Sequence, residues 1–504
     1  MNKILTAFVF IVCSTLFSCA VSKNYSPAKK FPQQALREDF QLLKNILEQK
    51  HPSLYWYTPK DSMDFYFEKY YRSIPDSMTE QQFAWHILAP MVDKIHCGHT
   101  SVGSSKAYRK WVSGKQLPSF PLYFKVWSDT MAVSANLNRK DSFFKRGTLV
   151  TSVNGVRNTA QVKKMFDYLP EDGYANNVNY IRMSANFPYY HRNIYGLSKK
   201  YRVTYLDSTG KEKITEIPLF TPIKDSLKKD SIHRKLLPKE PKPKKSKRIL
   251  TLRSLVIDSN NVMGTMQLNS FSKGRLRNFF RRSFKTLKEK NINNLVLDLR
   301  SNGGGKVWAS TLLTRYISRN AFKVADSAYT ISRGLGKYSQ YIKGGWLNNI
   351  EMLFISSKRK DGLYHLGMLE RKLYKPKTKN HYNGKVYVLT NGPTFSASAL
   401  FCNAVKSQNG ITLLGEETGG GWHGNSGIMI PDIKLPHSKN TVRLPLYRIV
   451  QYRHVPKTGS GIIPDIYVGT NYDALLKGID YKMKVVRDII INNQKSGVNS
   501  QMPD

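Results

Sequence analysis

The chain has 504 residues, more than a single hydrophobic core usually organises, so two or three domains are expected. Apolar residues make up 40% of the sequence, which is enough for globular folding and excludes a largely disordered chain. The 79 basic and 35 acidic residues give a formal charge of +44, a balance that on its own would suggest a nucleic-acid partner.

The first residues predict export. Met1-Asn2-Lys3 supplies a charged start, and the apolar run at residues 4–17 is too short to span a bilayer. Leu16-Phe17-Ser18-Cys19 then resembles a bacterial lipobox, in which the cysteine is lipidated and becomes the first mature residue. We therefore predict a lipoprotein signal peptide at 1–19 and a tether at 20–33.

This interpretation places the protein in the cell envelope, as an outer-membrane lipoprotein that faces the periplasm and contacts the membrane through lipid on Cys19. Export argues against nucleic acid as a partner. With Cys19 lipidated, only Cys97 and Cys402 remain in the mature chain, so no disulfide framework is expected. Two buried free thiols are favoured over one bridge between them.

Residues 34–112 predict a helical region and residues 113–222 a small β-rich module. In the first, Phe40, Leu43 and Leu47 recur at helical spacing. In the second, short strands alternate, and the strand at 148–153 ends in the turn Asn154-Gly155 before a helix-like stretch. This arrangement resembles a PDZ-type module, which binds an extended peptide by adding it as a strand to its own sheet.

A basic, proline-broken stretch follows at 223–249. Residues 224–248 hold 11 Lys or Arg against 3 Asp or Glu, with few apolar residues, so we interpret the stretch as a solvated linker.

Beyond the linker the pattern alternates between strands and helices. The strands are predicted at 262–268, 294–299, 386–390 and 411–415, and the helices at 276–288, 307–317 and 396–407. Alternation of this kind predicts a multidomain α/β protein whose core, at 250–475, has a mainly parallel sheet with crossover helices. A C-terminal helix and tail are expected at 476–504.

Two segments of this core could carry chemistry, because each follows a strand where reactive groups of parallel sheets gather. Ser396 stands at a strand-to-helix turn, where the first helix amides lack internal partners and could stabilise an oxyanion. A helix-capping serine is the ordinary alternative. Gly303-Gly304-Gly305 lies between a strand and a helix and lacks the lysine and spacing of a phosphate-binding Walker motif.

Taken together, these segments resemble the C-terminal processing peptidases, the family of tail-specific proteases and the tricorn core protease. The likeness rests on four stretches, at residues 262–271, 298–305, 394–400 and 461–465. It implies that Ser396 is the nucleophile, and that the amides of Ala397 and of Gly305 or Gly304 form the oxyanion hole.

The family also indicates the base. One branch uses a lysine in a loop of the form Gly-Glu-x-Thr-x-Gly-Lys, but this chain has Gly421 at the lysine position. The other branch uses a histidine in a segment of the form Asp-Gly-His-Thr, which Gly98-His99-Thr100 matches. His99 is therefore the predicted general base, a task that suits an imidazole with an ordinary pKa of roughly 6.5.

The third member of the site stays open. The acidic residue of the resembling branch corresponds to Thr458, which can accept a hydrogen bond but cannot offset an imidazolium charge. Glu416 or Glu417 could supply that charge instead, and Asp465 is expected to be structural.

The sequence thus predicts a serine-type peptidase that cleaves peptide or unfolded protein substrates of the envelope by acyl transfer, without cofactor or metal. The alternative is a catalytically weak or inactive peptide-binding lipoprotein on the same fold, motivated by Thr458 and Gly421. A metal site at His96, Cys97, His99 and His423 is a further alternative, although adjacent residues of a strand point in different directions.

Overall fold

The computed structural model describes residues 25–138, 143–222, 249–452, 455 and 457–499. The predicted signal peptide with Cys19, and nearly all of the predicted linker, lie outside these residues. Within the part of the chain that is described, no helix combines the length and the apolar character needed to cross a membrane.

The N-terminal part is mainly helical, as predicted. The helix α1 (Gln33–Lys50) buries Leu36, Phe40, Leu43 and Leu47 on one face, and it ends just before Pro52 because the residue preceding a proline disfavours helical angles. The remaining elements are β1 (Lys30–Pro32), α2 (Lys60–Arg72), β2 (Ser77–Thr79), α3 (Glu80–Gln82), a π-helical turn (Phe83–Leu88), α4 (Ala89–Asp93), β3 (Val102–Gly103) and α5 (Lys106–Val112).

The middle part is an antiparallel sheet with two helices. Its elements are β4 (Leu122–Trp127), β5 (Thr130–Asn136), β6 (Leu149–Val153), β7 (Val156–Arg157), α6 (Asn158–Phe166), α7 (Asn177–Tyr195), β8 (Lys200–Leu206) and β9 (Glu212–Pro218). The strands of the sheet run in the order β4-β5-β6-β8-β9, with β7 paired to β6. Asn154 and Gly155, between β6 and β7, both have positive φ, at 50° and 79°, which a tight hairpin turn requires. The PDZ-like assignment stays a prediction.

The elements of the core are β10 (Arg253–Ile257), β11 (Met263–Leu268), α8 (Leu276–Glu289), β12 (Asn294–Asp298), α9 (Val307–Ile317), β13 (Ala325–Thr330), a 3-10 helix (Gly336–Tyr341), α10 (Gly345–Ile355), β14 (Ser357–Lys358), β15 (Tyr364–His365), α11 (Gly367–Arg371), β16 (Lys385–Thr390), α12 (Ala397–Val405), β17 (Ile411–Gly415), β18 (Gly424–Ile428), β19 (Asp432–Lys434), β20 (Thr441–Arg443), β21 (Tyr447–Gln451), β22 (Ile466–Tyr467), α13 (Tyr472–Lys477) and α14 (Tyr481–Asn499).

The core contains the predicted, mainly parallel sheet, in the order β10-β11-β12-β16-β17-β22, where only β10 pairs antiparallel. Helices cover both faces of this sheet, since α8, α9 and α12 bury one apolar cluster and α14 buries another.

Two smaller sheets complete the core, and the sequence did not predict them. One has the order β14-β15-β13-β21-β18, and the other joins β19, β20 and β3. Because β3 comes from the N-terminal part and pairs with β20 through Val102 and Val442, it fixes the preceding segment, which carries His99, against the core.

The C-terminal helix begins later than expected. It was predicted from residue 476, but α13 ends at Lys477 and α14 begins at Tyr481. The reason is Gly478, whose left-handed φ of 68° caps α13 and breaks the helix there.

Candidate active site

Ser396 lies at the turn between β16 and α12. It is half-buried and adopts φ 54° and ψ −121°, a conformation that a residue with a side chain rarely occupies. The turn before it is anchored by Thr394, whose hydroxyl donates to the carbonyl of Leu299 at 2.9 Å. Strained backbone of this kind persists only where surrounding contacts enforce it, and it clusters at functional sites.

The glycine loop after β12 packs directly on this turn. A Cβ on Gly304 would lie 2.6 Å from the carbonyl oxygen of Phe395 and 2.8 Å from both the amide nitrogen of Ala397 and the Cβ of Ser396. Gly304 also has φ 89°, so only glycine fits there without displacing the turn.

The two glycine amides differ in availability. The amide of Gly304 donates to the side-chain oxygen of Asn302 at 3.0 Å, so it is already occupied. Ala397 is the first residue of α12, and its amide therefore has no partner within the helix. Among the described residues no acceptor is recorded for the amides of Ala397 and Gly305, which leaves this pair as the better donors to an oxyanion.

His99 lies beside the same turn. Its ring packs on that of Phe395, with the centroids 4.7 Å apart, and a Cβ on Gly427 of β18 would lie 3.4 Å from its Nε2. The side chain is buried, and its Nδ1 has no hydrogen-bond partner in the described part of the chain. The structure therefore brings His99 next to the residue that precedes Ser396, with no hydrogen bond recorded between the two side chains in the described ranges. Such bonds often tighten only when substrate is present.

The carboxylate recorded next to the imidazole belongs to Asp172. Its Oδ1 lies 4.0 Å from Nδ1 of His99, and both side chains are buried. The carboxylate accepts hydrogen bonds from the amides of Gly98 at 2.8 Å and Gly421 at 3.4 Å. It thus ties the histidine segment to the loop after β17. Sequence reasoning missed Asp172 because it stands in an ordinary turn between α6 and α7, with no motif around it.

Burial shapes the electrostatics of this pair. Burial lowers the pKa of the His99 imidazole to about 3, and three arginines, Arg443, Arg182 and Arg448, act in the same direction. Burial also raises the pKa of Asp172 to about 6. At neutral pH the pair therefore consists of a neutral imidazole, free to accept a proton, and a carboxylate that can offset the charge it gains.

The three residues considered as third members have other partners. Glu416 forms a buried ion pair with Lys482. The carboxylate of Glu417 accepts from the amide of Gly461 at 2.6 Å. Thr458 is exposed, and its hydroxyl lies 2.9 Å from that of Ser460. No contact between any of these three and His99 is recorded in the described structure.

The other residues that the sequence singled out are structural in their contacts. Asp465 accepts from the amide of Leu413 at 2.8 Å and pairs with Lys406 at 2.6 Å, which fixes the end of the core sheet. Cys97 and Cys402 are both buried and unbridged, as favoured.

The histidines of the metal alternative have separate partners. His96 contacts Glu171 at 3.4 Å, and Nδ1 of His423 lies 2.7 Å from the carbonyl of Val455. Among the described residues, no group of three or more potential ligands is placed to hold a metal ion.

Comparison with known proteins agrees with this architecture. Residues 262–468 match the model of peptidase family S41. The crystal structure of mature CPAF is similar with a TM-score of 0.61 at 14% identity, covering 91% of this chain and 98% of that one. The CPAF complex with lactacystin gives 0.59 at 12%, covering 91% and 99%.

A more distant structural likeness is to the photosystem II D1 C-terminal processing protease, with a TM-score of 0.38 at 12% identity, covering 87% of this chain and 93% of that one. No curated sequence matches the chain. At these identities the likeness to CPAF shows a common fold over most of the chain.

Proposed function

We propose that this protein hydrolyses peptide bonds of polypeptide substrates with Ser396 as the nucleophile and His99 as the base, which the match of residues 262–468 to peptidase family S41, a family of serine peptidases, supports. The observation that carries this proposal is the strained backbone of Ser396, held between the glycine loop and the imidazole that arrives from the N-terminal part. A capping serine would need neither the strain nor the glycine beneath it.

The geometry supports a two-step acyl-transfer reaction. The Ser396 oxygen attacks the carbonyl carbon of the substrate while Nε2 of His99 takes the hydroxyl proton, and the amides of Gly305 and Ala397 donate to the oxyanion that forms. His99 then gives the proton to the nitrogen of the leaving amine. Water, activated in the same way, attacks the acyl-enzyme and releases Ser396 and the second product.

Asp172 acts in this scheme as a positioning residue. Its carboxylate lies on the Nδ1 side of the ring, so it leaves Nε2 free for Ser396 and offsets the imidazolium charge. We expect Asp172→Asn to lower kcat at least tenfold with little change in KM, because the substrate-binding groups are untouched.

The test of the peptidase proposal is hydrolysis of an unfolded, carboxymethylated protein by matched variants. Ser396→Ala and His99→Ala should abolish hydrolysis. Ser398→Ala is the control, because Ser398 is two residues away, fully buried, and its hydroxyl has no hydrogen-bond partner in the described residues. Hydrolysis that survives in Ser396→Ala would refute the assignment. Binding of the unfolded protein by the wild type without any cleavage would instead support the inactive peptide-binding alternative.

We also propose that the protein acts on envelope polypeptides as a lipoprotein anchored at Cys19, which the sequence of its first residues supports. Cys19→Ser should abolish incorporation of a radiolabelled fatty acid in cells. Labelling that persists in this variant would exclude the lipidation site.

A further inference from the structure

A groove on the core, between α8 and α9, is lined by cations. Its volume is about 510 Å³, and the segment at 372–377, after α11, completes its wall. The basic side chains that line it are those of Arg277, Arg281, Arg315, Lys372 and Lys377. Among the described residues of the lining, none is Asp or Glu. We call the space between these five cations the α8–α9 groove.

The acidic side chains of the neighbouring elements are paired elsewhere. Glu289 of α8 pairs with Lys285, and Glu370 of α11 pairs with Arg359 and His365. Neither α9 nor the segment at 372–379 contains an Asp or a Glu. These elements therefore supply no counter-ion to the groove, and a cleft lined by one sign of charge attracts ligands of the opposite sign.

Contacts within the groove orient two of its arginines. The guanidinium carbon of Arg277 lies 5.8 Å from the ring centre of Trp308, which is partly exposed. Nε of Arg315 donates to the carbonyl of Lys375 at 2.9 Å. Such contacts fix the direction of a guanidinium and leave several of its five N–H donors for a ligand.

The groove begins at the edge of the sheet where Ser396 lies. Because β11, β12 and β16 are parallel, the segments that follow them start at the same edge. Those segments are α8, the glycine loop with α9, and the turn of Ser396. The loop before α8 also packs on the glycine loop, since the amide of Phe271 donates to the carbonyl of Gly304 at 2.9 Å. Arg277 and Trp308, in the first turns of α8 and α9, therefore stand on the side of the candidate active site.

The far end of the groove is within reach of a bound polypeptide. Trp308 stands three residues after Gly305, so their Cα atoms are at most about 11 Å apart. Arg315 stands seven residues further along α9, which is about 10 Å at the helical rise per residue. An extended polypeptide advances about 3.3 Å per residue, so roughly seven residues span the distance from the oxyanion donor to this arginine.

We propose that the α8–α9 groove binds acidic side chains of the polypeptide substrate, within roughly seven residues of the cleaved bond. Arginine N–H groups form charge-assisted hydrogen bonds with carboxylates, and these bonds are stronger than neutral ones. Several carboxylates along one extended chain suit the groove better than one compact anion, because its cations are spread over two helices and the segment at 372–377. This role rests on cleavage at Ser396, the function proposed above.

Binding tests the groove without turnover. The full chain carries Ser396→Ala, and the probes are fluorescein-labelled hexaglutamate and hexaglutamine peptides, followed by fluorescence anisotropy. We expect hexaglutamate to bind at least about tenfold more tightly than hexaglutamine, because only carboxylates form charge-assisted bonds with the cations. The difference should shrink as salt is added, since salt screens exposed charges.

Matched double variants locate the binding. Arg277→Gln with Arg281→Gln removes two exposed arginines one turn apart on α8 and should weaken hexaglutamate binding by roughly tenfold or more. Arg202→Gln with Arg487→Gln is the control, because it lowers the net charge equally at exposed positions of β8 and α14. The control should bind like its parent. Equal weakening in both would show general attraction to a basic protein and would overturn the proposal.

Kinetics with Ser396 intact connect the groove to the substrate. Hexaglutamate should inhibit hydrolysis of a carboxymethylated protein competitively, and the Arg277 and Arg281 double variant should raise KM by a larger factor than it lowers kcat. Hexaglutamate that binds in the groove without slowing hydrolysis would place the anion site off the substrate path and overturn this role. A wild-type protein that binds hexaglutamate through these arginines yet cleaves nothing would refute the peptidase assignment and leave the anion-binding groove established.

Phosphate ligands are the competing occupants. Pyrophosphate and a thymidine hexanucleotide are therefore measured as competitors of labelled hexaglutamate. We expect both to compete more weakly than unlabelled hexaglutamate. Stronger competition by either one, lost in the Arg277 and Arg281 double variant, would assign the groove to phosphate groups and overturn the proposal.

Discussion

Ser396 combines a reactive hydroxyl with a backbone conformation that serine rarely adopts. The contacts of Gly304 and Gly420 with the turn show what enforces it: a Cβ on Gly420 would lie 3.1 Å from the amide nitrogen of Ser396, and a Cβ on Gly304 2.8 Å from its side chain. The two glycine loops therefore close on the turn from different elements, and the strain is held by tertiary contacts.

That strain makes a prediction about stability at this residue. Ser396→Gly should be more stable than Ser396→Ala by about 1 kcal/mol, because glycine adopts a φ of 54° without cost while alanine keeps the strain. Urea unfolding of the two variants measures the difference. The ordinary preference for alanine over glycine, if it were found here, would show that the conformation is not strained.

The pKa of His99 makes a second prediction at the residue scale. A histidine whose pKa is lowered to about 3 stays neutral as the pH falls below 6.5, so its capacity to accept a proton persists under mildly acidic conditions. We expect the acid limb of the kcat/KM profile to lie below pH 6.5. A limb at or above 6.5 would mean that the imidazole is more solvated, or more strongly paired with Asp172, than its burial indicates.

Among the elements, β12 and α14 are joined by one partly buried cation. Arg300, two residues after the end of β12, pairs with Asp298 at 2.7 Å and with Asp480, just before α14, at 2.7 Å. Because the glycine loop follows at 303–305, this pairing holds both the last helix and the base of the loop.

Removing the cation should therefore be costly. Arg300→Ala is expected to lower the free energy of unfolding by about 3 kcal/mol, since it leaves the largely buried Asp298 without its partner. Denaturant unfolding measures the loss. Arg157→Ala removes an arginine from the exposed pair with Glu212 and should leave stability nearly unchanged, because solvent screens such a pair. Equal effects in both variants would contradict this account.

Local patterns predicted the core elements well. The helix at 307–317 and the strand at 411–415 match the structure residue for residue, because their apolar spacing and flanking glycines are local signals. The strands β14, β15 and β18–β21 were not predicted, because they are only two to five residues long, and most of them join their sheets through pairing with segments more distant in the chain, such as β13 or β3.

Over the whole molecule, one short loop joins the three parts of the chain. In the loop at 171–174, Asp172 accepts from Gly98, the amide of Gly173 donates to the carbonyl of His96 at 2.9 Å, and the amide of Tyr174 donates to that of Gly459 at 2.8 Å. The loop comes from the middle part, His96 from the N-terminal part and Gly459 from the core. It therefore fixes where His99 stands relative to Ser396.

This arrangement explains what the sequence could and could not predict about the site. Ser396, His99 and the glycine loop carry local motifs, so their resemblance to a known family was visible. Asp172 is held in the site by hydrogen bonds from Gly98 and Gly421, which are 74 and 249 positions away in the chain. No local sequence pattern predicts contacts between such distant residues.

Gly173 offers a test at this scale. It has φ 64°, and a Cβ would lie 2.4 Å from the carbonyl oxygen of Gly459, so Gly173→Ala should displace the loop. We expect the free energy of unfolding to fall by about 1–3 kcal/mol. We also expect kcat to fall by a larger factor than in control variants of equal stability, because Asp172 and His99 move with the loop. Calorimetry and peptidase kinetics measure the two effects.

The control is Gly155→Ala, which shares a positive φ of 79° but faces open space. It should cost stability through backbone strain alone and leave kcat unchanged. If both variants lost kcat equally, the loop would have no special part in placing the base.

The central claim is that Ser396 is a nucleophile activated by His99. Treatment of the wild-type protein with a fluorophosphonate, followed by peptide mapping in the mass spectrometer, tests it most directly. The account predicts one stoichiometric adduct on Ser396, formed equally in Ser398→Ala and lost in His99→Ala. An adduct on another residue, or none on a folded wild-type protein, would contradict it.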